Sequence, residues 1–113
     1  MSLSSRVRAA LTPIVPQVEP SGYHGDALEY ITFSTTELGA LYAGSRPNAI
    51  RHLLRVYWYF PDMPEGAITE TNPLEKKARI AEAIFSLGGT WPSIEDLSDS
   101  EGGCFAYECE VFT

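Results

Sequence analysis

Apolar and polar residues alternate over the longest stretch at residues 49–60, Ala-Ile-Arg-His-Leu-Leu-Arg-Val-Tyr-Trp-Tyr-Phe. Alternation at every second position divides this run into two faces. One carries Ile50, His52, Leu54, Val56, Trp58 and Phe60; the other carries Arg51, Leu53, Arg55, Tyr57 and Tyr59. The first face is nearly all apolar and belongs on a core. The second mixes cations with phenols, as a wet face or a partner-facing surface does. Ile50, Leu53 and Leu54 also fit a helical period, but the aromatic run before Pro61 favours a strand. The stretch therefore predicts a central or next-to-central antiparallel strand. His52, on its core face, reads as a buried, hydrogen-bonded histidine rather than a ligand or base.

Two further stretches alternate. Residues 27–35 put Ile31 and Phe33 on the core side and Tyr30 and Thr32 on the wetter side. Residues 104–112 set Phe105, Tyr107, Cys109 and Val111 against Cys104, Ala106, Glu108 and Glu110. If this strand pairs with the central one, Glu108 and Glu110 lie opposite Arg51 and Arg55. Residues 17–20 suggest a short edge strand. Residues 90–97 are weakly strand-like, with Trp91 and Ile94 as anchors.

Helical periodicity occurs twice. Residues 4–12 place Val7, Ala10 and Leu11 on one stripe, with Ser4 or Ser5 as cap and Pro13 and Pro16 as stops. Residues 72–87 start with Asn72 as N-cap, Pro73 in the first helical position and Glu75 behind it. Leu74, Ala78, Ala81 and Phe85, with Ile84 alongside, form the apolar stripe, and Gly88-Gly89 ends it. Lys76, Lys77 and Arg79 read as a solvated face. The pattern is one small α+β domain over residues 1–113. It has an antiparallel sheet of about four to five strands, two helices packed on one face, and the order α-(β)-β-β-α-β-β.

Between the strands, residues 37–48 carry two glycines, a proline and an arginine, and read as a loop or arm. Twelve residues exceed the roughly 2–5 usual for a hairpin connection. Leu38, Leu41 and Tyr42 on this excursion either fold back or meet a partner. Residues 61–71 form a second long loop. Residues 98–103 form an acidic turn without the spacing of a calcium loop.

Composition narrows the function. With 113 residues, 44% hydrophobic and 20% charged, the chain suits one ordered domain with a modest core. No apolar run is long enough to span a membrane, and no signal-peptide pattern opens the chain. The net charge of −7 is uneven: residues 1–60 hold five Arg against four Asp and Glu, whereas residues 61–113 hold three Lys and Arg against eleven acids. Such polarity disfavours nucleic acid or an anionic membrane as the main partner. It permits head-to-tail self-association.

Cys104 and Cys109 fall on opposite faces of one strand and cannot bridge there, which fits a reducing, intracellular setting. No catalytic, metal-ligand or phosphate-cradling motif is present. His24 and Asp26, in the loop of residues 20–26, lack converging ligands. A non-enzymatic protein without a cofactor is expected.

Three stretches together resemble the small tail-completion or tail-terminator proteins of siphophages and prophages. They are residues 27–35, the Arg-Pro-Asn-Ala-Ile-Arg-His-Leu-Leu-Arg-Val-Tyr-Trp-Tyr of residues 46–59, and the Asn-Pro-Leu-Glu-Lys-Lys-Ala-Arg-Ile of residues 72–80 with the later Trp91-Pro92 and terminal strand. The likeness is one of order, size and strand character over nearly the whole chain. It implies a structural protein of the virion tail, made in the bacterial cytoplasm, that forms a six-membered ring on the tail tube. Tail-tube and head-completion proteins would be its partners. On that reading Leu38, Leu41, Tyr42 and Arg46, with Arg51 and Arg55, would meet an acidic turn holding Asp96, Asp99 and Glu101. The alternative from another class is a small ligand- or peptide-binding adaptor or regulator, with a pocket under Tyr57, Trp58 and Tyr59.

Overall fold

The computed structural model describes residues 2–23, 25–43, 46–61, 73–99 and 102–113, with the backbone alone at residues 40–43, 46–49, 73 and 74. The elements are α1 (Leu3–Leu11), β1 (Val18–Pro20), β2 (Tyr30–Ala43), β3 (Arg46–Pro61), α2 (Pro73–Phe85), β4 (Ser93–Asp96) and β5 (Gly102–Phe112). They form an α+β fold in the expected element order, on one sheet ordered β1-β2-β3-β5-β4. Every pairing is antiparallel except β1 with β2, which run parallel with Val18 opposite Ile31. The wholly antiparallel expectation fails there because residues 21–29 carry the chain back before β2 starts. Composition marks residues 20–26 as a loop but not the direction of the return, and the strand expected from residue 27 starts only at Tyr30.

The core lies between one sheet face and both helices. Ile31, Phe33, Leu54, Val56, Trp58, Phe105, Tyr107, Cys109 and Val111 come from the sheet, and Val7, Leu11, Ile80, Ala81 and Ile84 from the helices. The alternation expected for β3 and β5 therefore holds through their middles. Phe60 and His52 are only half-buried. His52 Nε2 lies 2.9 Å from Thr113 Oγ1, just past the end of β5, so it is hydrogen-bonded but not buried as expected.

α1 starts earlier than its serines suggested. Ser2 is the cap, with its hydroxyl accepting from Ser5 N–H at 3.2 Å, so neither Ser4 nor Ser5 caps it. Arg6 reaches across to donate to the Leu87 carbonyl at 2.9 Å, tying α1 to the end of α2.

The stripe of α2 is rotated from its expected position. Ile80, Ala81 and Ile84 are buried, whereas Ala78 is exposed and Phe85 is 47% exposed. Phe85 instead meets Trp91, itself 56% exposed, with ring centroids 5.4 Å apart. Trp91 is thus a surface partner rather than an anchor. Leu74 and the expected cap Asn72 lie outside the residues whose side chains are described, as does the loop beyond Pro61.

Two lysines expected in solvent are engaged. Lys76 Nζ sits 2.9 Å from both oxygens of Glu29, and Glu29 also accepts from Trp58 Nε1 at 2.9 Å. Lys77 Nζ lies 4.7 Å above the Phe105 ring, and the Tyr107 hydroxyl donates to the Lys77 carbonyl at 3.1 Å. Both stems lie along the body while their charges meet a carboxylate or a ring. Gly88 ends the helix at φ +94°, a conformation that glycine adopts without penalty.

Candidate functional site

The largest departure from expectation is the stretch read as a loop. Residues 37–43 and 46–48 continue β2 and β3 as one long hairpin, with Ala40 opposite Ile50, Leu41 opposite Ala49 and Ala43 opposite Arg46. The pairing slips between Glu37 and Gly39 and again between Leu41 and Tyr42. The first slip leaves Leu38 without an opposite residue, and Gly39 absorbs it at φ +128°.

Beyond this point the hairpin has no third strand among the described residues. β1 leaves β2 at Phe33, and β5 leaves β3 at Arg51, followed only by a backbone exchange between Ile50 and Thr113. A two-stranded arm therefore projects from the sheet, and the described residues extend 58 Å along the long axis against 25 and 23 Å across it. Among the described residues no strand pairs with either outer edge of the arm, and such edges carry the backbone donors and acceptors another chain can use. Pro47, which lacks an N–H, is tolerated on such an edge.

The acidic turn lies at the other end. Phe60 pairs with Gly103 and Pro61 with Gly102, at the opposite end of β3 from Arg46. Sixteen residues of strand separate the ends, about 50 Å at strand rise. Asp96 Oδ1 accepts from Ser98 N–H at 2.9 Å, and the hydrogen bonds from Ser98 hold its carboxyl below the usual range. Asp99 Oδ1 accepts from Gly102 N–H at 3.2 Å. Glu101 lies outside the described residues, as does His24.

The expected interface residues thus form two distant groups. Leu38 is 40% exposed at the base of the arm, and the backbone places Leu41, Tyr42 and Arg46 along it, their side chains lying outside the description. Asp96 and Asp99 occupy the far end. Arg51 and Arg55 belong to neither group. They pair within the chain: Arg55 Nε with Glu108 directly opposite at 3.1 Å, as the alternation of β3 and β5 predicted, and Arg51 with Glu110 on the diagonal at 3.9 Å, since Glu110 lies opposite Leu53 and Arg51 opposite Phe112.

Sequence reasoning missed a row of phenols on the uncovered face. Tyr23 and Tyr30 have ring centroids 4.7 Å apart, Tyr30 and Tyr59 4.8 Å, and Tyr59 and Tyr57 6.4 Å. The wet-face placement of Tyr30, Tyr57 and Tyr59 was legible; the register that sets Tyr30 opposite Tyr59 was not.

Leu28, Tyr30, Tyr57, Tyr59, Leu97 and Cys104 line an open hollow of about 520 Å³ here, beside Asp99. Trp58 points the other way, into the core. Burial raises the Tyr59 hydroxyl and the Cys104 thiol above their ordinary ranges, and neighbouring ionisable groups push in the same direction. Both groups are therefore neutral at physiological pH. Cys104 and Cys109 are free thiols on opposite faces.

Among the described residues, no group of three or more His, Cys, Asp or Glu is placed to hold a metal ion. Among the same residues, no helix is long and apolar enough to cross a membrane. No family model and no curated protein matches the chain.

Proposed function

We propose that this chain is a non-enzymatic structural subunit of a phage or prophage tail, a tail-terminator or tail-completion component that assembles as a ring. The observation that carries the reading is the two-stranded arm. Among the described residues no third strand or helix packs on this hairpin, and a two-stranded hairpin is marginal on its own in water, so a lasting arm suits a surface that receives it. The resemblance in element order and strand character supplies the class of assembly. Charge separation along the chain supplies the polarity that a head-to-tail ring needs. Tail-tube and head-completion proteins are the outside partners on this reading, and the assembled site is the head-proximal end of the tail.

Immunogold labelling of tails purified from an induced lysate tests the assignment. Label confined to the head-proximal end is the expected result; tails and virions free of label would overturn it. The tyrosine-lined hollow favours a second reading, an adaptor that takes a small ligand or peptide on its open sheet face.

A further inference from the structure

We propose that the tyrosine-lined hollow is the seat for the hairpin arm of a second copy of this chain, so that copies add arm to hollow. The inference rests on the assembly reading above and names the surface through which it would occur. Arm and hollow lie at opposite ends of the 16-residue β3. A chain cannot therefore place its own arm in its own hollow without dismantling the sheet. The contact is between copies and heterologous, and it closes into a ring or continues as a filament according to the rotation per step.

The chemistry of the two surfaces matches. Residues 38–50 of the arm are Leu-Gly-Ala-Leu-Tyr-Ala-Gly-Ser-Arg-Pro-Asn-Ala-Ile, small and apolar with Arg46 as the sole charge. The hollow presents apolar rims at Leu28 and Leu97, exposed by 78% and 45%, and stacked phenols between them. Asp99 lines the hollow, and Glu95 lines the adjoining open face beside Tyr57 and Leu97, so the one cation of the arm approaches carboxylates there. The phenol hydroxyls can donate to backbone carbonyls along an arm edge.

Two variants and their mixture test this. In the first, residues 41–49 are replaced by Asn-Gly, which closes the hairpin on the Ala40–Ile50 pair and leaves the hollow intact. In the second, Leu28→Lys with Leu97→Lys removes the apolar rim and repels Arg46 while leaving the arm intact; both positions are exposed, so the fold is retained. Circular dichroism and melting confirm that each variant is folded. Light scattering after size exclusion is then run on the wild-type chain, each variant, and the variants mixed one to one.

The expected pattern is a wild-type oligomer that loosens with salt, two monomeric variants, and a mixture that forms a heterodimer and nothing larger. The heterodimer arises because one chain contributes the only working hollow and the other the only working arm. If the lysine variant assembles like wild type while the shortened chain is monomeric, the seat is elsewhere and the inference fails, although the arm remains an assembly device. Two monomeric variants that do not combine also overturn it. A wild-type chain that stays monomeric at high concentration refutes arm-to-hollow pairing, and the tail assignment is then decided by the labelling experiment alone.

Discussion

β3 passes through two environments that differ in everything but the strand itself. Over residues 54–58 it has β2 on one side, β5 on the other and both helices over one face, and Leu54, Val56 and Trp58 are 1% exposed or less. Over residues 46–49 its one partner strand among the described residues is β2. The body of the strand is held by burial, and the arm by its own ladder. A sheet that ended at Arg51 would already have its core, so the arm adds little to folding. What it adds is reach and, among the described residues, two edges without a further strand. The comparison separates residues that keep the molecule folded from residues free to serve a partner.

The sharpest way to test that division is to damage each part in turn. Trp58→Ala removes the largest fully buried side chain and leaves Glu29 without one of its donors. The cost should be about 3–5 kcal/mol in urea unfolding, a large share of the roughly 5–15 kcal/mol that holds an ordinary domain. Closing the hairpin at Ala40–Ile50 should change the same measurement by no more than about 0.5 kcal/mol, in the range of surface changes. A large loss on shortening the arm would erase the distinction.

A smaller effect is expected at the clasp joining the body to α2. Glu29 accepts from Trp58 Nε1 and from Lys76, whose side chain is only 13% exposed. Glu29→Ala leaves a buried indole N–H and a largely buried ammonium without their acceptor, at about 1–3 kcal/mol. Lys76→Met in the Glu29→Ala background should recover part of the loss, since it removes the stranded charge and keeps the stem. Equal stability for Glu29→Ala and wild type in chemical denaturation would show that solvent already serves those donors.

Much of the body was legible in sequence because alternation is a local property. The core sides of β2, β3 and β5, and the Arg55–Glu108 pairing, follow from counting every second residue. The arm was not legible. Gly39, Gly44 and Pro47 are the residues of loops, and only pairing with the opposite strand makes residues 37–43 extended. Leu38 and Gly39 break the alternation at the bulge, so the pattern that identified the rest of β2 stops where the arm begins. The phenol row failed for a related reason. Each tyrosine was assigned to its face, but which ones stack depends on register. The α2 stripe is less legible because its buried side centres on Ile80, Ala81 and Ile84, and the lysines beside it serve as hydrocarbon stems as well as charges.

Alkaline pH probes the body alone. Burial, with Glu108 nearby, pushes the Cys109 thiol up to about 11 from an ordinary 9.0, and burial raises the Tyr107 hydroxyl as well. The folded state holds these protons more tightly than the unfolded state. Their contribution is therefore complete below the unfolded pKa, declines above it, and is gone once pH passes the folded pKa. Between pH 7 and 10 the wild-type chain should lose about 1 kcal/mol more stability than Cys109→Ala does over the same interval. Parallel stability curves for the two chains would remove the thiol from the account. Shortening the arm should leave the alkaline slope unchanged, since both groups lie on the covered face of β5.

The smallest effect belongs to the open face, where the body's sequence pattern was most accurate and its energy is least. Arg55 and Glu108 pair at 3.1 Å, but both side chains are about half exposed, and Arg51 and Glu110 sit at 3.9 Å with comparable exposure. Water and salt screen such pairs, and holding two long side chains together costs entropy. A double-mutant cycle on Arg55→Ala and Glu108→Ala in the shortened-arm chain should give a coupling of about 0.2–1 kcal/mol that fades with added salt. Run on the assembled wild-type chain, the cycle should give the same value, because the proposed seat lies towards Pro61 and leaves this pair in solvent. A coupling that grows on assembly and resists salt would mean that a neighbour covers the middle of the open face. The joint between copies would then be broader than one arm in one hollow.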